Sequence, residues 1–259
     1  MKQLDSNRSN SATIPLKSLP AAIKRLLQSE AVRIMVLGTL PIATHANPTD
    51  GQVVAGSAEI AQQGARMDIN QASQRAVINW QSFNIDKGEH VNFNQPTRDA
   101  ATLNRVVGND PSAILGRMTA NGNVYLVNQN GIMVGKDAQI DVGSLTASTA
   151  NISNDDFMAG RMNFNEAGNP DARIVNHGNI SVQQGGLVAL VAPGVENHGV
   201  ISAKLGKIAL ASGDAFTLDL YGDQLINLTV SKEQLASIAS AEGKSLSHYV
   251  NNDGEIIAD

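Results

Sequence analysis

Hydrophobic and polar residues alternate through the second half of the chain in a pattern that recurs after 20 or 21 residues. Residues 174–181 (IVNHGNIS) are repeated as residues 195–202 (VENHGVIS), and residues 186–192 (GLVALVA) as residues 206–212 (GKIALAS). A period of two residues is the pattern of a β-strand with one buried face. Each repeat therefore predicts two short strands, separated by turns that contain glycine.

Strands this short cannot bury their apolar faces alone, but stacked coils can hydrogen-bond to one another about 4.8 Å apart and bury a continuous column. Leucine-rich repeats have a similar period, but their Leu-x-x-Leu-x-Leu pattern with an Asn is absent. Residues 47–135 alternate without a clean repeat and hold aromatic residues, as a cap that closes the first coil requires. The prediction is an all-β fold, a right-handed parallel β-helix with an N-terminal cap and a small extra-helical insertion.

A third copy of the turn pattern, residues 252–258 (NDGEIIA), stands almost at the end of the chain. The coil that it begins stops at Asp259, so we expect the natural protein to continue or to be a shortened descendant of a longer one. Residues 214–250 lie between the second and third copies and predict an insertion with two strands and a short helix. Ser231 is the expected N-cap of that helix.

The first 46 residues differ from the rest and predict an extended signal peptide. Six basic side chains and two acids precede or flank an apolar run over residues 34–43, which is too short to span a bilayer as a helix. Ala46 is the expected cleavage residue. The predicted division is a signal peptide at 1–46, a β-helix domain with its cap at 47–213, the insertion at 214–250 and an incomplete coil at 251–259.

Charge and composition narrow the range of functions. Residues 47–259 carry 13 basic and 22 acidic side chains, and an acidic body of this kind repels nucleic acid. The chain has no cysteine, which excludes disulfides, thiol catalysis and thiolate metal sites. Stability must then come from packing and from backbone hydrogen bonds.

The sequence offers few residue groupings that could form a catalytic or a metal-binding site. His177 and His198 hold equivalent positions in the repeats, so a metal pair is conceivable, but no carboxylate or third His recurs with them and solvent-facing turn residues are the simpler interpretation. A β-helical polysaccharide-acting enzyme would need grouped acids, whereas Asp68, Asp86, Asp110, Asp137 and Asp141 share no register and Asp155-Asp156 predicts a solvated loop. We expect no enzyme activity, no metal and no cofactor.

An ordered series of motifs resembles a known family. Residues 91–96 (VNFNQP), 103–108 (LNRVVG), 110–116 (DPSAILG) and 120–132 (ANGNVYLVNQNGI) resemble the filamentous-haemagglutinin N-terminal domain, the secretion domain of two-partner secretion exoproteins. The resemblance covers about residues 47–212. The family motif Asn-Pro-Asn-Gly-Ile is present at residues 128–132 with Gln129 in place of the usual Pro.

The resemblance implies a route of export. It implies Sec-dependent passage to the periplasm, recognition by an outer-membrane β-barrel transporter with POTRA modules, and release to the medium or the cell surface. Transporter recognition is expected to involve five residues, namely Asn104, Arg105, Asn128, Asn130 and Gly131. Two roles stay open: an adhesin or haemagglutinin-like protein that contacts surface glycans or proteins, or the front of a cytolysin or contact-dependent inhibition toxin whose activity lies beyond residue 259.

Overall fold

The computed structural model describes residues 47–219, 226–229 and 249–258, which form a β-solenoid. Its elements in chain order are β1 (Gln52–Ala55), β2 (Ala58–Gln63), β3 (Arg66–Gln71), β4 (Arg75–Trp80), β5 (His90–Asn94), β6 (Ala101–Val106), β7 (Ser112–Ile114), β8 (Arg117–Ala120), β9 (Asn123–Val127), β10 (Ile132–Val134), β11 (Gln139–Val142), β12 (Ser144–Ser148), β13 (Asn151–Ile152), α1 (Asn154–Met158), β14 (Asn163–Glu166), β15 (Arg173–Asn176), β16 (Asn179–Val182), β17 (Leu187–Ala192), β18 (Gly194–Asn197), β19 (Val200–Ala203), β20 (Lys207–Ser212), β21 (Ala215–Leu218), β22 (Ile226–Thr229), β23 (Tyr249–Asn252) and β24 (Glu255–Ile257).

Three sheets form the walls of the solenoid. Sheet 1 has the order β1-β4-β6-β9-β12-β17-β20, sheet 2 the order β2-β3-β5-β8-β11-β16-β19-β24, and sheet 3 the order β7-β10-β15-β18-β23. One complete coil contributes one strand to each sheet, as β18, β19 and β20 do. From β3 and β4 onward, strands of neighbouring coils pair in parallel in all three sheets, so the predicted parallel β-helix is confirmed.

The first coil is covered by antiparallel strands. β1 pairs antiparallel with β4, and β2 pairs antiparallel with β3. Trp80 and Phe83 are buried beneath this end and meet edge to face, with ring centroids 5.6 Å apart. The antiparallel strands stand where the predicted cap must be, because they occupy the edges to which a preceding coil would otherwise pair.

The interior is a column of aliphatic side chains that follows the repeat register. Ile180 pairs with Ile201, which pairs with Ile256 of the third copy, in the register that the sequence repeats predict. A ladder of amides accompanies the column: the Asn176 Nδ2 donates to Asn197 Oδ1 at 2.8 Å, and the Asn197 Nδ2 donates to Asn252 Oδ1 at 2.7 Å. Asn176 and Asn197 are fully buried, so the ladder satisfies amides that would be costly to leave unpaired, and it ends at the exposed Asn252.

A second core lies on the outer face of sheet 1, under an additional sheet. The chain leaves the coils twice to form this sheet, first in an excursion that contains β13 and β14 and then in one that contains β21 and β22. Sheet 4 has the order β13-β14-β21-β22, in antiparallel pairing, and covers a cluster that includes Tyr125, Phe157, Phe164 and Phe216. The Phe164 and Phe216 rings stack with centroids 4.4 Å apart. Sheet 1 is therefore buried on both faces, which explains the unbroken apolar run of β17.

The structure tests two local predictions, the insertion at 214–250 and the loop at Asp155-Asp156. The two predicted strands of the 214–250 insertion are present as β21 and β22, whereas the helix expected from Ser231 lies outside the described residues. The prediction of a solvated loop at Asp155-Asp156 is wrong: both lie in the first turn of α1, where the Ser153 Oγ accepts from the Asp156 amide at 3.1 Å. Acids in that turn are favoured by the helix dipole.

The predicted signal peptide and its cleavage residue, Ala46, also lie outside the described residues. Among the residues that are described, no helix is long and apolar enough to cross a lipid bilayer.

Candidate functional site

The turn at residues 128–132 joins β9 to β10 and is held by the side chain of Asn128. That side chain is fully buried, and its Nδ2 donates to the Asp110 carbonyl and to Ser112 Oγ, each at 3.0 Å. Its Oδ1 accepts from the Asn130 amide at 2.9 Å, which is the local side-chain turn that Asn favours. Gly131 follows with a φ of +113°, and a Cβ there would lie 2.8 Å from the Arg173 carbonyl oxygen.

The turn is also tied to the coils on either side of it. The Asn130 Nδ2 donates to the Gly108 carbonyl at 3.0 Å, and the Gln129 Nε2 donates to the Ala167 carbonyl at 2.9 Å. Gln129 thus makes a contact between coils that the usual Pro of the family motif could not make. Asn130 is half-buried, so part of its side chain stays accessible to a partner.

Asn104 points into the solenoid, on the inner face of β6. It is fully buried, accepts from Trp80 Nε1 at 3.1 Å and donates to the Tyr125 carbonyl at 3.3 Å. Its amide supplies the hydrogen-bond partner that a buried indole N–H requires. Asn104 therefore joins the aromatic end of the interior to β9.

Arg105 is the next residue of β6 and points the other way, under sheet 4. Its Nε donates to Asn151 Oδ1 at 2.7 Å, its Nη1 to Asn154 Oδ1 at 2.8 Å, and its Nη2 to the Ile152 carbonyl at 2.6 Å. A further bond joins Nη1 to Asn79 Oδ1 at 3.2 Å. Burial lowers the pKa of the guanidinium, and the negative charge of Glu166 opposes that change.

The five expected recognition residues do not form one exposed surface. Asn104 and Asn128 are enclosed, Arg105 is engaged with the excursion that begins at β13, and Gly131 shapes a turn. In the folded protein these five residues hold turns and coils in place. Transporter recognition by these residues stays a prediction. Asn130 lies in the motif turn at residues 128–132, and its side chain is partly exposed.

A polar network covers the outer face of sheet 2 near the cap. Arg66 can only donate, so the 3.2 Å contact from its Nη1 makes His90 Nδ1 an acceptor and leaves the proton of the neutral ring on Nε2. Nε2 then donates to Thr119 Oγ1 at 2.7 Å, and Thr119 donates to Asn92 Oδ1 at 2.7 Å. The Asn92 Nδ2 donates to Asp68, whose pKa is lowered to about 2 by Arg66 first and Asn92 second.

His90 is expected to titrate below its ordinary value of about 6.5. Burial lowers its pKa most, and the charges of Arg66 and Arg117 lower it further. Because the folded pKa lies below the unfolded one, the stability that His90 contributes is present above about pH 6.5 and is lost as the pH falls through the folded pKa. Nuclear magnetic resonance titration of the ring measures the midpoint, which should rise in Arg66→Gln. A midpoint at or above 6.5 in the unaltered chain would contradict the assignment.

The two equivalent histidines lie on the corner between sheets 3 and 2. The His177 and His198 rings stack with centroids 5.0 Å apart, and His198 contacts Glu196 Oε2 at 3.2 Å and Asp253 Oδ2 at 3.5 Å. Neither carboxylate recurs in the repeats: Glu196 pairs with Val175 of the preceding copy, and Asp253 takes the position of the histidine in the third copy. In the described residues, no group of three or more His, Asp or Glu side chains is placed to hold a metal ion.

Comparison with known families gives one match that spans most of the chain. Residues 44–255 match the family model of the TPS secretion domain. The heme/hemopexin-binding protein of Haemophilus influenzae is 32% identical over 229 residues, which cover 82% of this chain and 24% of that relative. The chain thus spans about a quarter of the relative's length.

The solved structure of one secretion domain agrees with the sequence match. The secretion domain of HMW1 from Haemophilus influenzae is 35% identical and superposes with a TM-score of 0.68, over 82% of this chain and 54% of that one. The filamentous hemagglutinin secretion domain is 18% identical, with a TM-score of 0.48, over 80% of this chain and 78% of that one.

Proposed function

This chain belongs to the family of TPS secretion domains, and we propose that an outer-membrane β-barrel transporter with POTRA modules recognises it in the periplasm and exports it. The observation that supports this most is the extent of the match: residues 44–255 run from before the cap to the first residue of β24. The proposed route is Sec-dependent passage to the periplasm, followed by release to the medium or the cell surface.

The solenoid suits export as an unfolded chain. In the three wall sheets each strand pairs only with the strands of the adjacent coils, so folding can begin at the cap and add one coil at a time as the chain emerges. The absence of cysteine in the sequence means that no disulfide obstructs this passage. Folding outside the membrane then opposes return of the chain and gives transport a direction without a nucleotide.

A binding role at the surface is the function we propose for the exported protein. The relative that matches over 82% of this chain is a heme/hemopexin-binding protein, and that name describes capture of a ligand. It favours an adhesin-like or ligand-binding role over a cytolysin or contact-dependent inhibition toxin. TPS secretion domains are typically non-catalytic, which weighs against a polysaccharide-acting enzyme.

Within this function, we propose that Asn130 contacts the transporter directly and that Asn104, Arg105, Asn128 and Gly131 act by shaping the surface that it reads. The support is the burial of Asn104 and Asn128 together with the partial exposure of Asn130. A side chain enclosed in the folded solenoid can alter recognition only by changing what surrounds it.

Binding of the purified chain to the purified POTRA modules of the candidate transporter tests the proposal. Asn130→Ala is expected to weaken binding by about tenfold, the effect of removing one well-placed interface contact. Asn94→Ala is the matched control, since Asn94 is an exposed amide that bonds to Asn70 and Asn92 on the face of sheet 2. Because the chain is proposed to cross unfolded, binding is measured both with the folded chain and with chain freshly diluted from urea. Absence of binding in both states would overturn the transporter assignment. Equal binding by all three chains would remove Asn130 from the interface.

A further inference from the structure

A groove with a volume of about 630 Å³ runs along the outer face of sheet 1, where its strands begin. The strand register places Arg75, Asn123, Ser144 and Lys207 in one outward row along its floor. Arg98 and Leu205 stand at its rim. We call these six residues the cationic groove, a feature unusual in a body of excess negative charge.

Three basic side chains, Arg75, Arg98 and Lys207, line the groove. The Arg75 guanidinium lies over the Phe157 ring, 5.5 Å from the centroid, and its Nη1 is buried without an acceptor among the described residues. Arg98 crosses from an early coil to donate to the Gln184 carbonyl. Lys207 is exposed at the far end. Burial closes Arg75 Nη1 to a ligand, so the groups that can meet an anion in the groove are the exposed head groups of Arg98 and Lys207. Both can make charge-assisted hydrogen bonds to an anion.

Leu205 supplies a second, independent observation. It is one of two non-glycine residues of the described chain with a positive φ, at +50°, and 64% of its surface is exposed. The pairing of β17 with β20 makes it the equivalent of Gly185, which has a φ of +75° one coil earlier. A leucine is disfavoured in this backbone conformation, where glycine carries no penalty. A strained apolar side chain exposed beside cations points to contact with an apolar surface of a ligand.

The acids of the groove narrow the ligand class. Asp99 and Asp219 line the same groove. They would repel a strongly acidic peptide, but carboxylates accept hydrogen bonds from hydroxyl groups, and Asn123 and Ser144 add further polar atoms. A neutral sugar would leave the cations unused. We propose that the cationic groove binds an acidic saccharide, with its carboxylate or sulfate toward Arg98 and Lys207, its hydroxyls toward Asp99, and an apolar face of a sugar ring against Leu205.

Titration of the purified full chain with a disaccharide that carries one glucuronic acid tests this site. A matched neutral disaccharide and a sulfated one form the other arms and separate carboxylate from sulfate recognition. At least one acidic disaccharide is expected to bind at least about tenfold more tightly than the neutral one, because charge-assisted hydrogen bonds are the stronger kind. The double variant Arg98→Gln with Lys207→Gln should lose that preference, while Lys136→Gln, an exposed lysine on the corner beside His177, should keep it. Equal affinity for acidic and neutral sugars, or no binding of either, would overturn the proposal.

Leu205→Gly provides a second measurement that does not depend on charge. If Leu205 contacts the sugar ring, removal of its side chain should weaken binding of the acidic disaccharide several-fold. The thermal unfolding midpoint should not fall, because glycine adopts this backbone conformation without strain. A lower midpoint with unchanged binding would show that Leu205 serves packing alone and would contradict its assigned role.

Discussion

Replacing Arg105 with alanine is expected to lower the free energy of unfolding by about 2–4 kcal/mol, because it removes several charge-assisted hydrogen bonds from a half-buried site. The guanidinium donates to the side chains of Asn79, Asn151 and Asn154 and to the Ile152 carbonyl. These acceptors belong to β4 and to the excursion around β13, so one side chain joins sheet 1 to the segment that covers it. Without it, each acceptor must find water or remain unsatisfied.

Two matched variants separate this explanation from a general effect of losing positive charge. Arg105→Lys keeps the charge but loses the planar fork, so its loss of stability should be intermediate. Arg66→Ala removes an exposed arginine whose ion pair with Asp68 spans 2.7 Å, and should lower the free energy of unfolding far less than Arg105→Ala does, because water screens an exposed ion pair. Urea unfolding monitored by circular dichroism measures all three. An alanine variant within about 0.5 kcal/mol of the unaltered chain would contradict the structural role of Arg105.

The repeat length predicts the stacking register because the same turn recurs. Asn176, Asn197 and Asn252 occupy equivalent sequence positions, and in the structure they form one hydrogen-bonded ladder. If the pairing register of a strand shifted by one residue, every aliphatic side chain of that strand would point to the wrong face of the sheet. The parallel solenoid could therefore be predicted from two good copies and one partial copy of a pattern.

The second core could not be predicted in the same way. β13 and β14 are short strands without a repeat partner, and the pairing of β14 with β21 joins segments more than 50 residues apart. The apolar run of β17 indicates a strand buried on both faces, but does not reveal what covers the outer one. Asp155 and Asp156 are helical because Ser153 caps the helix. The two acids alone do not indicate a helix, whereas a serine in front of them is a helix-start signal.

The expected recognition residues illustrate a different limit. Their positions follow from motif resemblance, but burial decides whether a side chain can meet a partner, and Asn104 and Asn128 are fully enclosed. The cationic groove could not be predicted, because Arg75, Arg98 and Lys207 are distant in sequence and line one groove only once the coils are stacked. One signal was present in the chain: the alignment of the repeats puts Leu205 where the preceding copy has Gly185.

Export should be all or none with respect to the partner transporter. A TPS secretion domain is expected to reach the outside only through its own pore, because the outer membrane offers a folded or unfolded chain no passage through lipid. Host cells that lack the pore should retain the chain in the periplasm, where it becomes a target for proteases. A pore whose POTRA modules have been deleted is the matched control, since it keeps the barrel but removes the proposed recognition surface.

The most direct measurement is therefore the amount of this chain in the medium of host cells with the candidate pore, without it, and with the pore lacking its POTRA modules. We predict folded, protease-resistant protein outside the cell only with the intact pore. Equal amounts of folded protein in the medium of all three strains would contradict export by two-partner secretion.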